Sequence, residues 1–140
     1  MKNHVDLRIH SVLDIAFSVR HIDFVDPSRI AYQVSGKLLN VQPDPKLLGF
    51  ETEVICAQQD ENKDRVEVMR YVNQMTFYIE NMEEVINESV NGKPKIDKAL
   101  ARILLDITIP TIRGILIGKT AGTGLEKCYL PLIKADKLIP

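Results

Sequence analysis

The chain has no tryptophan, two cysteines, three histidines and a formal net charge of −1. Near neutrality removes the bulk attraction that draws basic proteins to nucleic acid or anionic lipid, so neither is expected as a partner. No apolar run is long enough to span a bilayer, and membrane insertion is not expected. The opening residues, Met1-Lys2-Asn3-His4-Val5-Asp6, lack an apolar signal core, which points to a cytoplasmic protein. Cys56 and Cys128 make no metal-type spacing and are expected to be reduced and buried. His4, His10 and His21 form no pair at ligand spacing, so neither a metal nor any other cofactor is expected. The 140 residues, 45% hydrophobic and 26% charged, fit a single domain spanning 1–140.

What is present divides into two parts of different period. Residues 5–81 read as β. Val5, Leu7, Ile9, Leu13, Ile15, Phe17 and Val19 are apolar, while Asp6, Arg8, His10, Asp14, Ser18 and Arg20 alternate with them. That alternation predicts one long strand with one buried and one wet face. The parity flips at Ile22 and Phe24, which suggests a bulge there. Asp26-Pro27-Ser28 is a turn signal. A second strand is predicted over about 29–41, a third over about 47–58 and a fourth over about 65–79, with a charged hairpin loop at 59–64. The fourth is apolar on both faces, with Val66, Val68 and Val72 on one side and Met69, Tyr71, Met75, Phe77 and Ile79 on the other. Such a strand is covered twice, by its own helices or by another subunit.

After Asn91-Gly92 the spacing becomes helical, through Ile96, Leu100, Ile103, Leu104 and Ile107. Pro110 removes a bond to the carbonyl of Asp106, and a kink or a break into two helices is expected. The glycines after Ala121 suit a helix stop. The fold class is therefore α+β: a four-stranded antiparallel sheet with C-terminal helices packed on it.

Catalytic signals are weak. Gly114-Ile115-Leu116-Ile117-Gly118-Lys119-Thr120 ends like a phosphate loop, but it has three residues between its glycines where that loop needs four. It also closes a helix rather than opening one, so Lys119 reads as a cation at a helix C-terminus. Glu51 and Glu53 share a strand face, as solvated carboxylates commonly do. No nucleophile motif accompanies Cys128, and the chain is not expected to be an enzyme. The Met69–Ile79 stripe reads as core or subunit interface, though methionine and aromatic side chains also suit a surface that repacks around many partners.

Taken in order, these segments resemble the SecB export chaperones over nearly the whole chain. His21-Ile22-Asp23-Phe24-Val25-Asp26-Pro27 is similar to the family's first-strand motif, in which Asp-Ile-Ser-Phe-Glu precedes a proline. Residues 50–58 and 66–79 are similar to its central hairpin, with Thr76-Phe77-Tyr78-Ile79 where the family has Ile-Phe-Ser-Ile. Leu105-Asp106-Ile107-Thr108-Ile109-Pro110-Thr111-Ile112-Arg113 is similar to its Ile-Leu-Phe-Pro-Tyr-Ala-Arg helix, and Tyr129-Leu130-Pro131 to its Leu-x-Pro element. The resemblance implies a homotetramer, a dimer of dimers, that binds non-native polypeptides in apolar grooves without ATP or metal. Groove candidates by position and parity are Tyr32, Val34, Met75, Phe77, Ile112 and Tyr129.

Departures from the family narrow its implications. The family hands preproteins to the motor SecA through an acidic sheet surface, whose positions fall here on His21, Val25 and Arg70. None is acidic, so SecA binding is expected to be weak or absent; Asp23 and Asp26 are the nearby carboxylates that could replace part of the charge. SecB-like chaperones also occur beside toxin–antitoxin pairs, where they protect an antitoxin, and a chain without the motor-docking charges fits that branch. The alternative class is an oligomeric assembly domain whose apolar face meets one specific folded partner.

Overall fold

The computed structural model describes residues 5–20, 25–87 and 95–134. Strand β1 runs over Leu7–Val19, and a short 3-10 turn at Pro27–Arg29 leads into β2, Ile30–Gln42. Asp26 caps that turn by accepting from the backbone N–H of Ser28 at 3.0 Å. Strands β3, Leu47–Gln59, and β4, Arg65–Ile79, follow. The bounds of β2, β3 and β4 lie within one residue of those expected from alternation. The four form one antiparallel sheet in the order β1-β4-β3-β2, which makes β1 and β2 its edges. A short helix α1, Met82–Val85, precedes a two-residue ladder between β5, Ile86–Asn87, and β6, Lys95–Ile96. Helix α2, Lys98–Thr120, then crosses the sheet.

The two faces of the sheet differ. Leu48, Phe50, Val54 and Cys56 of β3 meet Met69, Tyr71, Met75, Phe77 and Ile79 of β4 in one core with the buried stripe of α2. That stripe is Leu100, Leu104, Leu105, Thr108, Ile109, Ile112 and Leu116, at the spacing that brings one helical face onto a sheet. The opposite face carries Gln33, Ser35, Lys37, Glu51, Glu53, Arg70 and Gln74. There Lys37 pairs with Glu51 at 3.2 Å and Arg70 with Glu53 at 2.5 Å. Val72, on this same face, is half-buried within the chain, so the second cover expected over β4 is not supplied by helix α2.

Three expectations need correction. First, β1 is not one unbroken alternation, because its register against β4 slips between Ile9 and Ser11 and again between Asp14 and Ala16. Each slip returns parity to the other face. Leu7, Ile9, Val12, Asp14, Phe17 and Val19 consequently lie opposite Ile79, Phe77, Met75, Asn73, Tyr71 and Met69, on the helix side. Asp14, expected among the wet residues, faces the helix, and Leu13 faces the other way. The bulge expected at Ile22 and Phe24 lies outside the described residues. Second, β3 and β4 slip between Cys56 and Ala57, which turns Val66 to the side of Met69 instead of the side of Val72. Third, α2 is continuous through Pro110 and does not break into two helices. Pro110 is exposed, so its ring meets solvent, while Thr108, Ile109 and Ile112 anchor the helix on both sides of it. Asp97 caps the start of α2 by accepting from the Leu100 N–H at 2.8 Å, and Gly122 leaves its end at a φ of +79°.

Candidate functional site

Two apolar surfaces flank α2. The first is β1. Ile9, Val12, Leu13 and Ile15 are 39–52% exposed, on the edge strand of the sheet. Ile9 and Val12 share the helix side, Leu13 the opposite side, and Ile15 sits at the second register slip. An edge strand ordinarily carries charge or proline against unwanted pairing, and this one exposes four large apolar side chains beside Arg8 and Asp14.

The end of that surface is closed by polar groups reaching up to the helix. Asp14 accepts from the Tyr71 hydroxyl at 2.5 Å and pairs with Lys119 of α2 at 2.6 Å. The Lys119 ammonium also lies over the rings of Phe17, at 5.1 Å, and Tyr71, at 5.8 Å. Lys119 and then Tyr71 hold the Asp14 carboxyl below the ordinary carboxylate value. Burial, with a contribution from Asp14, pushes the Tyr71 phenol up to about 12. Asn73 donates to the Tyr71 oxygen at 2.9 Å, which carries the polar chain into the core. Thr52 Oγ1, Asn73 Oδ1 and Thr108 Oγ1 are buried with no hydrogen-bond partner among the described residues. Gly118-Lys119-Thr120 is thus the last turn of a helix, with its lysine already paired to a carboxylate.

The second surface lies over β2. After Gly122 the chain returns across the sheet without regular structure. Leu125 and Leu130 are buried, whereas Tyr129 is 59% and Leu132 88% exposed. The Tyr32 hydroxyl donates to the carbonyl of Cys128. Arg113 of α2 donates from Nε to the Leu130 carbonyl at 3.0 Å and from Nη2 to the Pro131 carbonyl at 2.8 Å. Burial raises the Tyr32 phenol above its ordinary value and pushes the Cys56 thiol up to about 11, so these groups stay protonated. Both cysteines are free, with Cys56 buried and Cys128 half-buried.

The expected groove residues separate between these places. Met75, Phe77 and Ile112 are 0% exposed and sit together in the core under α2. They cannot touch a ligand in this arrangement, because parity identifies a face and not which layer covers it. Tyr32 and Val34 are half-buried on the helix side of β2, beside the returning segment, and Tyr129 lies on that segment. Of the expected docking residues, His21 and Asp23 lie outside the described residues. Val25 lies against Gly124 of the returning segment, whereas Arg70 is on the opposite sheet face, paired with Glu53. The β1 row, Arg113 and Leu130 were not among the expected contacts. The exposed row could not be found from alternation, since the two register slips hide it.

Among the described residues no helix is long and apolar enough to cross a membrane, and no group of His, Cys, Asp and Glu could hold a metal ion. No family model matches the sequence, and no curated protein does. Among solved structures the fold is matched by a SecB-like chaperone of Mycobacterium tuberculosis, in complex with a ChAD peptide from the HigA1 antitoxin. That match has a TM-score of 0.61 at 11% identity and covers 91% of this chain and 90% of that one. A Streptococcus agalactiae protein of unknown function matches with a TM-score of 0.47 at 10% identity, over 93% of this chain and 98% of that one, and at that score it carries no argument. The chain therefore has the SecB-like α+β fold, as the resemblance of its segments implied.

Proposed function

We propose that this protein is a chaperone that binds non-native polypeptides without ATP, holds them competent for folding or export, and counts an antitoxin among its clients. The observation that carries the reading is the exposed pair Ile9 and Val12, left open on the helix side of the edge strand beside a well-filled core, while Leu13 on the opposite side is left to a second copy of the chain. Apolar area of that kind marks a surface that meets another chain. Several shallow apolar contacts, each weak, hold an extended client while tolerating many sequences. The fold it shares with a SecB-like chaperone supports the same reading by analogy. In this reading the protein works in the cytoplasm as a homotetramer, with no catalytic step of its own.

The test is turbidity of a chemically denatured client on dilution, with increasing amounts of the protein, with and without ATP. Suppression across unrelated clients, equal in both conditions, is expected. Activity toward one folded partner alone would establish the assembly-domain class instead. An ATP requirement would return attention to Gly118-Lys119-Thr120.

A further inference from the structure

Residues 127–133 lie against the body of the protein as a bound extended peptide would. They belong to no helix and no strand ladder. From Cys128 to Leu130 the side chains alternate as in an extended chain, with Cys128 half-buried, Tyr129 outward and Leu130 in the core at 4% exposure; after Pro131 the parity shifts, leaving Leu132 exposed and Ile133 half-buried. What grips them is addressed to main chain. The Tyr32 hydroxyl takes the carbonyl of Cys128, and the two arms of the Arg113 fork take the carbonyls of Leu130 and Pro131. A guanidinium presents its donors in a rigid plane, and here they meet two successive carbonyls rather than a carboxylate. Every peptide has those carbonyls. Selectivity is then left chiefly to the apolar side chain at the place of Leu130, with the half-buried Cys128 and Ile133 packed beside it, while Tyr129 and Leu132 point away and are free to vary.

We propose that this segment fills, in cis, a cleft between α2 and β2 that takes an extended apolar client segment with a leucine-sized anchor. The inference rests on the chaperone reading, and it adds a site, a ligand pattern and a built-in competitor. A client gains the cleft by displacing residues 127–133, so its apparent affinity is lowered by the fraction of time the segment is seated. Proline is accepted after the anchor, because Pro131 offers its carbonyl and the grip on it uses no N–H.

The experiment uses the full chain and a fluorescein-labelled peptide with the sequence of residues 126–134, followed by anisotropy. Leu130→Gly removes the anchor and leaves Tyr32 and Arg113 in place. The variant is expected to bind the peptide at least about tenfold more tightly than the native chain. Adding Arg113→Gln to Leu130→Gly is expected to abolish the gain, which a merely loosened fold would not do. Leu130→Ala, which also removes the leucine-sized anchor, provides the same comparison if Leu130→Gly melts at the working temperature. A variant that binds the peptide no better than the native chain, or a gain untouched by Arg113→Gln, would overturn the proposal. Suppression of client aggregation by the native chain together with no gain in Leu130→Gly sinks the cleft alone. A gain without any suppression sinks the chaperone reading and keeps the cleft.

Discussion

The hydroxyl of Tyr71, on β4, donates at 2.5 Å to the carboxylate of Asp14, the residue opposite Asn73 on β1, and the same carboxylate holds Lys119 of α2 at 2.6 Å. One side chain thereby joins the edge strand, its neighbour and the helix above them. Asp14→Ala would leave the Tyr71 hydroxyl, at 0% exposure, without its acceptor, and is expected to cost about 1–2 kcal/mol in thermal or urea unfolding. Asp14→Asn keeps an acceptor and should cost less. The ion pair itself adds little, because 46% of the Asp14 side chain is exposed and screened.

The same contact sets a pH dependence. Lys119 and Tyr71 depress the Asp14 carboxyl below its ordinary value of 3.8. A depressed carboxyl contributes stability that is present above 3.8 and is lost as pH falls through the lower, folded value. Melting temperatures of the native chain and Asp14→Asn are therefore expected to converge in acid and separate toward neutrality. Parallel curves over the whole range would show that the carboxylate charge does not stabilise the fold.

Gly36 of β2 gives a test of packing. A Cβ built there would lie 2.7 Å from the Phe50 ring, whose side chain belongs to the core. Gly36→Ala is expected to lower stability by about 1–3 kcal/mol, since the ring must leave its place. Gly114, which has nothing within 4 Å of its added Cβ, is the control, and Gly114→Ala should stabilise α2 by roughly 0.5–1 kcal/mol.

Much of this was legible in the chain. Residues 65–79 read directly as β4, because β-branched and aromatic residues run between a charged loop and Glu80. The body of α2 was legible in its apolar spacing and its end in Gly122, but its start was not: Ile96, expected in the helical stripe, belongs to β6, and the helix begins only after the Asp97 cap. The bulges of β1 were not, since a slip is a relation to Phe77 and Asn73 on a partner strand and leaves the odd-numbered apolar row intact. Met75, Phe77 and Ile112 were placed on the correct layer boundary but counted as accessible, because only packing tells a groove from a core. Tyr129-Leu130-Pro131 stood out in the sequence, but how the returning segment is held did not. Its grip is on the carbonyls of Cys128, Leu130 and Pro131, and a carbonyl is the same at every position of a sequence.

The assembly can be measured separately from the chaperone activity. Light scattering coupled to gel filtration is expected to give a tetramer for the native chain. Leu13→Lys, which sets a charge on an exposed edge position, is expected to reduce it to a smaller species without unfolding it. A native monomer at micromolar concentration would remove the homotetramer from the proposed function.

Binding to SecA is expected to be weak or absent by calorimetric titration with the motor of the same organism. Glu53 already spends its charge on Arg70, and Glu51 on Lys37, so the sheet face presents paired charges instead of an acidic field. Arg70→Glu should raise the affinity. Micromolar binding by the native chain, lost on neutralising Asp23 and Asp26, would show that those two carboxylates make the docking surface.

The two register slips in β1, at His10 and Ile15, lie on either side of Leu13, and the helix-side residues of the strand form a palindrome about it. Counted outward from Leu13, the helix-side residues are Val12 and Asp14, then Ile9 and Phe17, then Leu7 and Val19. The order of faces is the same read forward or backward. A strand with this property cannot distinguish its own direction by which side its residues occupy. A second β1 laid antiparallel, Leu13 beside Leu13, would set Ile9 next to Phe17 and keep every helix-side residue on the helix side. An unbroken strand of odd-numbered apolar residues offers many such alignments, two residues apart, whereas the paired slips leave one that matches along the full length.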